Sequence, residues 1–262
     1  MPAFADASRI TRLDDTRFAI DVPSGWEQGR GAFGGLTLGV LLRAIEACEP
    51  DAARIVRTLS GELAGPVAPG PAEIRVTPMR RGKNQSNLRA DLWQGDVILG
   101  TASAVLSAPR TPAPEVPART IETMPFDRVA AIPRNSTFPT FAQHFEYRIE
   151  GPLPFSGSAD ASARGWIRLR EPLPAIDGPA VIAHLDSYWS AIASRLDRPR
   201  PFATVSFLAE LLVSPATLSP TTPFYLDCRV LAASDGFVVE ERALFQDDEL
   251  VAMNHQTFAM IA

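Results

Sequence analysis

The chain repeats one local pattern twice, and that repeat constrains its fold more than any single residue does. In the N-terminal half, Gly34-Gly35 opens an apolar helical run through Leu38, Leu41, Leu42 and Ile45, and four strand-like segments follow. In the C-terminal half, His184-Leu185-Asp186-Ser187-Tyr188-Trp189-Ser190-Ala191-Ile192 reads as a second helix, again followed by strands. Two copies of helix-then-meander imply two similar subdomains packed together, with chemistry expected wherever the copies differ. They differ at Asp186, Thr204 and Gln256, which have no counterpart set in the first copy.

The first helix is predicted over 34–48. It is apolar on much of its circumference, and such a helix is wrapped by a sheet, not laid on a surface. Residues 1–33 read as a strand pair, with alternation in Phe18-Ala19-Ile20-Asp21-Val22 and a turn at Pro23-Ser24-Gly25. Strands follow at 55–64, 72–79, 86–93 and 97–106, joined by short turns as an antiparallel meander. Prolines then break every pattern from 107 to 140, which predicts a linker. Strands at 141–149 and 161–170 precede the second helix. The order is βαββββ twice. An α+β fold satisfies it, with curved antiparallel sheets each wrapping a central helix. That is a double hotdog, with units at 1–110 and 141–262 and a linker at 111–140.

With 262 residues and 46% apolar content, the chain can bury one large core or two joined ones. A net charge of -5 argues against a nucleic-acid partner, since only Arg80-Arg81-Gly82-Lys83 concentrates positive charge. Cys48 and Cys228 make no disulfide framework, so a reducing compartment is expected. The N-terminus lacks the features of a signal peptide, and no apolar run approaches the roughly 20 residues of a membrane span. A soluble cytoplasmic protein without a membrane partner is the expectation. Abundant Ala, Pro and Arg with little Lys suggest a GC-rich bacterial genome.

Each helix start offers free backbone N–H groups at a positive dipole end. Gly34-Gly35 lets a ligand approach that backbone closely, so a thioester carbonyl could be polarised there. The same glycines would also serve a tight strand-to-helix bend. Asp186 sits among Val181, Ile182, Leu185, Tyr188, Trp189 and Ile192. Read as a residue of the N-terminal turn, it either complements the dipole, faces solvent, or takes a proton from water as a base. Thr204 is an ordinary strand residue; Gln256, in the last strand, needs partners if buried. His144, His184 and His255 show no metal-site spacing, and no Gly-x-Ser-x-Gly or phosphate-binding loop occurs. No metal and no cofactor are expected. Arg81 and Lys83 belong to a charged hairpin turn, or else meet the phosphates of a carrier.

In chain order stand Phe33-Gly34-Gly35, Gly65-Pro66-Val67-Ala68-Pro69-Gly70, Arg80-Arg81-Gly82-Lys83 and the segment from Gln94 to Ser103. With these phrases in order, the chain resembles, over most of its length, the acyl-CoA thioesterase II family of single-chain double-hotdog thioesterases. The family's catalytic set is an aspartate early in the second helix, a threonine on the next strand and a glutamine in the last strand. Asp186, Thr204 and Gln256 occupy those positions. The resemblance implies hydrolysis of acyl-CoA to free acid and CoA, with Asp186 as base and Thr204 and Gln256 orienting the water. Gly35 N–H is a candidate donor to the carbonyl. Past the threonine the sequence departs from the family, reading Ser206-Phe207-Leu208-Ala209-Glu210, and Ser206 is an alternative hydroxyl. That departure bears on the acyl pocket. It also motivates two rivals: a hotdog that binds acyl-CoA or an acyl carrier without catalysis, and a hotdog hydratase or dehydratase using His184. A homodimer is expected from apolar residues such as Leu88 and Val238 on the outer sheet face.

Overall fold

A computed structural model describes residues 1–110 and 116–261. In chain order the elements are α1 (Phe4–Ala7), β1 (Thr11–Arg12), β2 (Arg17–Val22), β3 (Glu27–Gln28), β4 (Gly31–Ala32) and α2 (Gly34–Ala47). The meander β5 (Ile55–Leu63), β6 (Gly70–Arg81), β7 (Gln85–Gln94) and β8 (Val97–Ser107) follows. The second half holds β9 (Phe145–Ile149), β10 (Ser162–Leu169) and α3 (Gly178–Asp186). After them come β11 (Phe202–Leu211), β12 (Phe224–Ser234), β13 (Phe237–Gln246) and β14 (Glu249–Met260).

Twelve of these strands form one sheet in the order β1-β2-β6-β7-β8-β5-β11-β14-β13-β12-β10-β9, while β3 and β4 make a separate small hairpin. Its centre is the antiparallel pair β5–β11, with Leu208 opposite Ser60. From that centre each half runs outward through its last, third and second meander strands and then the strand before its helix. Residues 1–33, expected as a strand pair, instead hold α1, three two-residue strands and β2, because only Phe18–Val22 alternates far enough to pair with β6.

Helices α2 and α3 lie on the inner face of this sheet. The α2 helix is buried on all sides, as its uniform apolarity requires. It packs closely on α3 through small residues. A Cβ on Gly35 would lie 2.9 Å from Ala183 Cα, and one on Gly39 would lie 3.3 Å from the Pro179 carbonyl oxygen.

The second helix is displaced from its predicted place. It spans Gly178–Asp186, with the Asp177 side chain accepting from Ala180 N–H and Pro179 in the first turn. It stops at Asp186 because its last carbonyls bond outside the helix. Ser187 Oγ donates to the His184 carbonyl at 2.6 Å, and Arg242 of β13 donates to the Leu185 carbonyl and, just beyond the helix, to those of Tyr188 and Trp189. Asp186 is thus the final residue of α3, not a residue of its first turn.

Of the expected linker, residues 111–115, with Pro112 and Pro114, lie outside the described residues. Residues 119–126 pack on the outer face of the second half, whereas Ala131 bridges Arg148 of the edge strand β9 and Thr140 bonds Glu27 of the first half. Trp166 Nε1 donates to the Met124 carbonyl at 2.8 Å, Arg119 pairs with Asp227 at 3.1 Å, and Ile121 joins Tyr225 and Phe245. Just past the linker, Phe141 stacks on Phe33 with ring centroids 4.1 Å apart, beside the start of α2. Leu88 and Val238 are not on the outer face: both are fully buried, because their registers turn them toward the helices. The apolar residues exposed on the outer face of the second half include Val205, Leu208, Phe237 and Val239.

Candidate active site

Three elements bring three polar side chains together in the inner layer. Gln256 of β14 alternates with Asn254 and Phe258 on the buried face, and only 1% of it is exposed. Its amide Nε2 donates to Asp186 Oδ1 at 2.7 Å and to Thr204 Oγ1 at 2.9 Å. An ionised carboxylate only accepts, which assigns the amide nitrogen to that side. Gln256 Oε1 is left buried without a partner. The Thr204 hydroxyl accepts from the glutamine and keeps its own proton to donate.

Thr204 reaches this layer through a bulge. Along β11, Phe207, Ala209 and Leu211 are buried, so strict alternation would turn Thr204 away from the core. Between Thr204 and Ser206 the register against β14 shifts, with Thr204 opposite Phe258 and Ser206 opposite Thr257. The extra residue, Val205, reverses the phase, and Thr204 joins the inner face. Ser206, next to the buried Phe207, points to the other face.

Asp186 ends α3 and points at the start of α2. A Cβ on Gly34 would lie 2.6 Å from Asp186 Oδ2, and the Gly35 backbone N–H is turned to the same carboxylate. The α2 helix has no side-chain cap from its own N-cap residue, Phe33, so a carboxylate from the other half lies at its positive end. Burial pushes the Asp186 carboxyl up to about 6, opposed by the Arg242 cation, the Gln256 hydrogen bond and the Gly35 N–H. A group poised there is mostly ionised at neutral pH yet basic enough to take a proton.

The other expected residues lie elsewhere. Arg81 and Lys83 are exposed in the β6–β7 hairpin, where Arg81 Nη2 donates to the Cys48 carbonyl at 2.8 Å. Cys48 is at the far end of α2, so this hairpin stands about 20 Å from Gly34 at 1.5 Å per residue. His184 is fully buried, its Nδ1 bonded to the Ala180 carbonyl at 2.7 Å and its ring against Phe224 and Phe145. Burial lowers its pKa to about 4. Among the described residues, no group of three or more His, Cys, Asp or Glu could hold a metal, and both cysteines are free. Sequence reasoning missed Glu240 and Arg242, both fully buried and paired at 3.1 Å. A signal existed: Val238, Glu240, Arg242 and Leu244 alternate along one strand, which sets two charges on an apolar face.

Comparison with solved structures defines the class: a hotdog fold. A conserved protein of unknown function with a hot dog fold from Alicyclobacillus acidocaldarius is 24% identical. The match covers 100% of this chain and 99% of that one, with a TM-score of 0.91. The tesB protein of Mycobacterium avium subs paratuberculosis is 16% identical over 99% and 98% of the two chains, with a TM-score of 0.81. Acyl-CoA thioesterase II TesB2 from Mycobacterium marinum is 17% identical over 99% and 98%, with a TM-score of 0.78. Residues 22–107 match the family model of the acyl-CoA thioesterase N-terminal domain, and residues 115–260 match that of the C-terminal domain. The chain belongs to the acyl-CoA thioesterase family. A search of the curated proteins finds no match.

Proposed function

We propose that this chain hydrolyses acyl-CoA to free acid and CoA, with Asp186 as general base and Thr204 and Gln256 orienting the water. The observation that carries this reading is the Gln256 amide bridging the Asp186 carboxylate and the Thr204 hydroxyl in a buried layer. Asp186 removes a proton from water as its oxygen bonds to the thioester carbonyl carbon. The tetrahedral oxyanion then collapses, the C–S bond breaks, and the CoA sulfur takes the proton back from Asp186. The sequence of steps requires neither a covalent intermediate nor a metal. Thr204, with its proton free, donates to the attacking water, and the unpartnered Gln256 Oε1 accepts from it. A helix cap chosen for stability would be ionised at a profit. Here burial raises the carboxyl's pKa, so the acid costs stability, as functional groups commonly do.

The reading includes two hotdog units, 1–110 and 141–262, joined by the linker 111–140, with one site between them. The sheet order supports it, and so does the counterpart position. The β5–β8 ladder shifts between Val56 and Thr58 just as β11–β14 shifts between Thr204 and Ser206. Val56 therefore stands where Thr204 does, opposite Leu106, and Ala104 stands where Gln256 does. Gly178, at the start of α3, meets Glu46, Leu42 and Val56 where Gly34 meets Asp186 and Leu63. A cavity of about 250 Å³ lies there, among Glu46, Val56, Leu106 and Gly178, without the trio.

The Gly34-Gly35 start of α2 belongs to the proposed site through Asp186. Arg81 and Lys83 are proposed for the phosphate end of an extended CoA, a helix length from the thioester. Thiol release from acyl-CoAs of increasing chain length tests the activity. Calorimetric binding without thiol release, at high protein concentration, would replace it by a binding role. A hydratase using His184 has little support, because that imidazole is neutral and committed to the Ala180 carbonyl.

A further inference from the structure

We infer that Arg242 is a positioning residue for this reaction, gathering the carbonyls around the end of α3 so that Asp186 is delivered to the start of α2. The inference rests on the reading of Asp186 as the base. Arg242 Nη1 donates to the Leu185 carbonyl at 3.0 Å and to that of Tyr188 at 3.3 Å. Its Nη2 donates to the Trp189 carbonyl at 3.3 Å and to Glu240 Oε2 at 3.1 Å. The peptide entering Asp186 and the two carbonyls beyond it are thereby held by one planar fork. The other Glu240 oxygen accepts from Ser190 Oγ, which fixes the chain four residues further on.

The clamp is built on β13, the strand paired with the β14 strand that carries Gln256. On β13, Glu240 lies opposite Gln256 and Arg242 opposite Asn254. The guanidinium carbon sits 5.1 Å from the ring centroid of Phe258, the cross-strand neighbour of Thr204. Any shift of Arg242 relative to α3 therefore moves Asp186 relative to Gln256 and Thr204. Stability alone does not call for this arrangement. A fully buried ion pair is often matched or bettered by apolar residues of similar volume, and a helix end is more cheaply closed by a glycine.

The guanidinium also sets the charge around the base. Gly35 N–H faces Asp186 from α2, the Gln256 amide from β14 and Arg242 from β13, and the Tyr147 phenol of β9 donates to the Ser187 carbonyl beside it. Glu240 and the Cys228 thiol of β12 stand behind Arg242. Burial holds the Tyr147 phenol far above its ordinary range and the Cys228 thiol up to about 12, so both are neutral, as is His184. Arg242 is the cation that favours the Asp186 carboxylate.

The test is the pH dependence of kcat/KM in Arg242→Met/Glu240→Gln, which removes both charges and leaves no lone ion in the core. We expect the acid limb to move up by about one pH unit, as loss of a nearby cation does, with activity partly recovered at high pH and KM little changed. Arg242→Lys keeps the charge but loses the fork; it should leave the limb in place and lower kcat about tenfold. A folded double variant with its limb and kcat unmoved would overturn the inference. If that variant does not fold, a wild-type kcat in Arg242→Lys would overturn it instead. Asp186→Asn separates the two readings. Its inactivity beside an unmoved limb removes only the role of Arg242, whereas its full activity removes the base itself.

Discussion

Gly34→Ala is the substitution whose effect the structure states most directly. The added methyl would lie 2.6 Å from Asp186 Oδ2 and 2.9 Å from Leu63 Cδ1, where ordinary contact begins at 3.4 Å. Leu63 can turn aside; the carboxylate has to retreat by about 0.8 Å. The other carboxylate oxygen is held by Gln256 at 2.7 Å, so a retreat of that size stretches this bond toward about 3.5 Å, the edge of hydrogen bonding. A hydrogen bond to a charged group is worth about 1.5–3 kcal/mol, and displacements near 1 Å at a reacting centre cost about 10²-fold. The expected result is a fall in kcat of roughly 10- to 100-fold with KM nearly unchanged, because no acyl contact is removed. Overpacking should also lower stability by about 1–3 kcal/mol, visible as a drop in Tm. The assay is thiol release under saturating acyl-CoA, with Gly82→Ala as the control, since a methyl there meets nothing closer than 3.4 Å. Wild-type kcat in a folded Gly34→Ala protein would refute the claim that Asp186 must stay against the start of α2.

Asp186→Asn should cut kcat/KM by roughly 10²–10⁴-fold while raising Tm. The folded carboxyl titrates at about 6 against an ordinary 3.8, so its favourable contribution exists at low pH and is lost as pH rises from 3.8 to 6. Above that window the ionised acid costs on the order of 3 kcal/mol, so the gain in Tm should be larger at pH 7.5 than at pH 4.5; equal gains would count against the buried-acid account. In the wild type, kcat/KM should fall as pH drops through about 6, because the base becomes protonated; a flat profile from pH 5 to 8 would argue for another base. Arg81→Ala/Lys83→Ala should raise KM for acyl-CoA, more at low salt, and leave kcat alone; an unchanged KM takes that hairpin out of the site. Light scattering at micromolar concentration should give twice the chain mass of 28.3 kDa, whereas a fully active monomer would show that the dimer is unnecessary.

The first meander and the first helix were legible locally because each carries its own period, whereas 141–144, expected as the start of a strand, is a 3-10 helical turn. The meander strands β5 to β8 and α2 lie within two residues of the places that alternation and helical spacing predict. The trio was legible only through a resemblance, since Asp186, Thr204 and Gln256 each have an ordinary reading alone. The second helix was placed too late because apolar spacing continues through Tyr188, Trp189 and Ile192. The stop comes from Arg242, more than fifty residues further on, and no local pattern could show it. Likewise the bulge at Val205, which turns Thr204 inward, exists only against β14 and its register.

Sequence alone therefore determined the parts that short-range sterics and burial periodicity decide: which segments are strand or helix, that helices must be wrapped, and which residues are out of place in apolar runs. Tertiary structure decided where α3 ends, which hydroxyl faces inward, and that the end of one helix meets the start of the other. Those are long-range contacts, set when elements far apart in the chain compete for the same carbonyls, the same register and the same few ångströms of space beside Gly34.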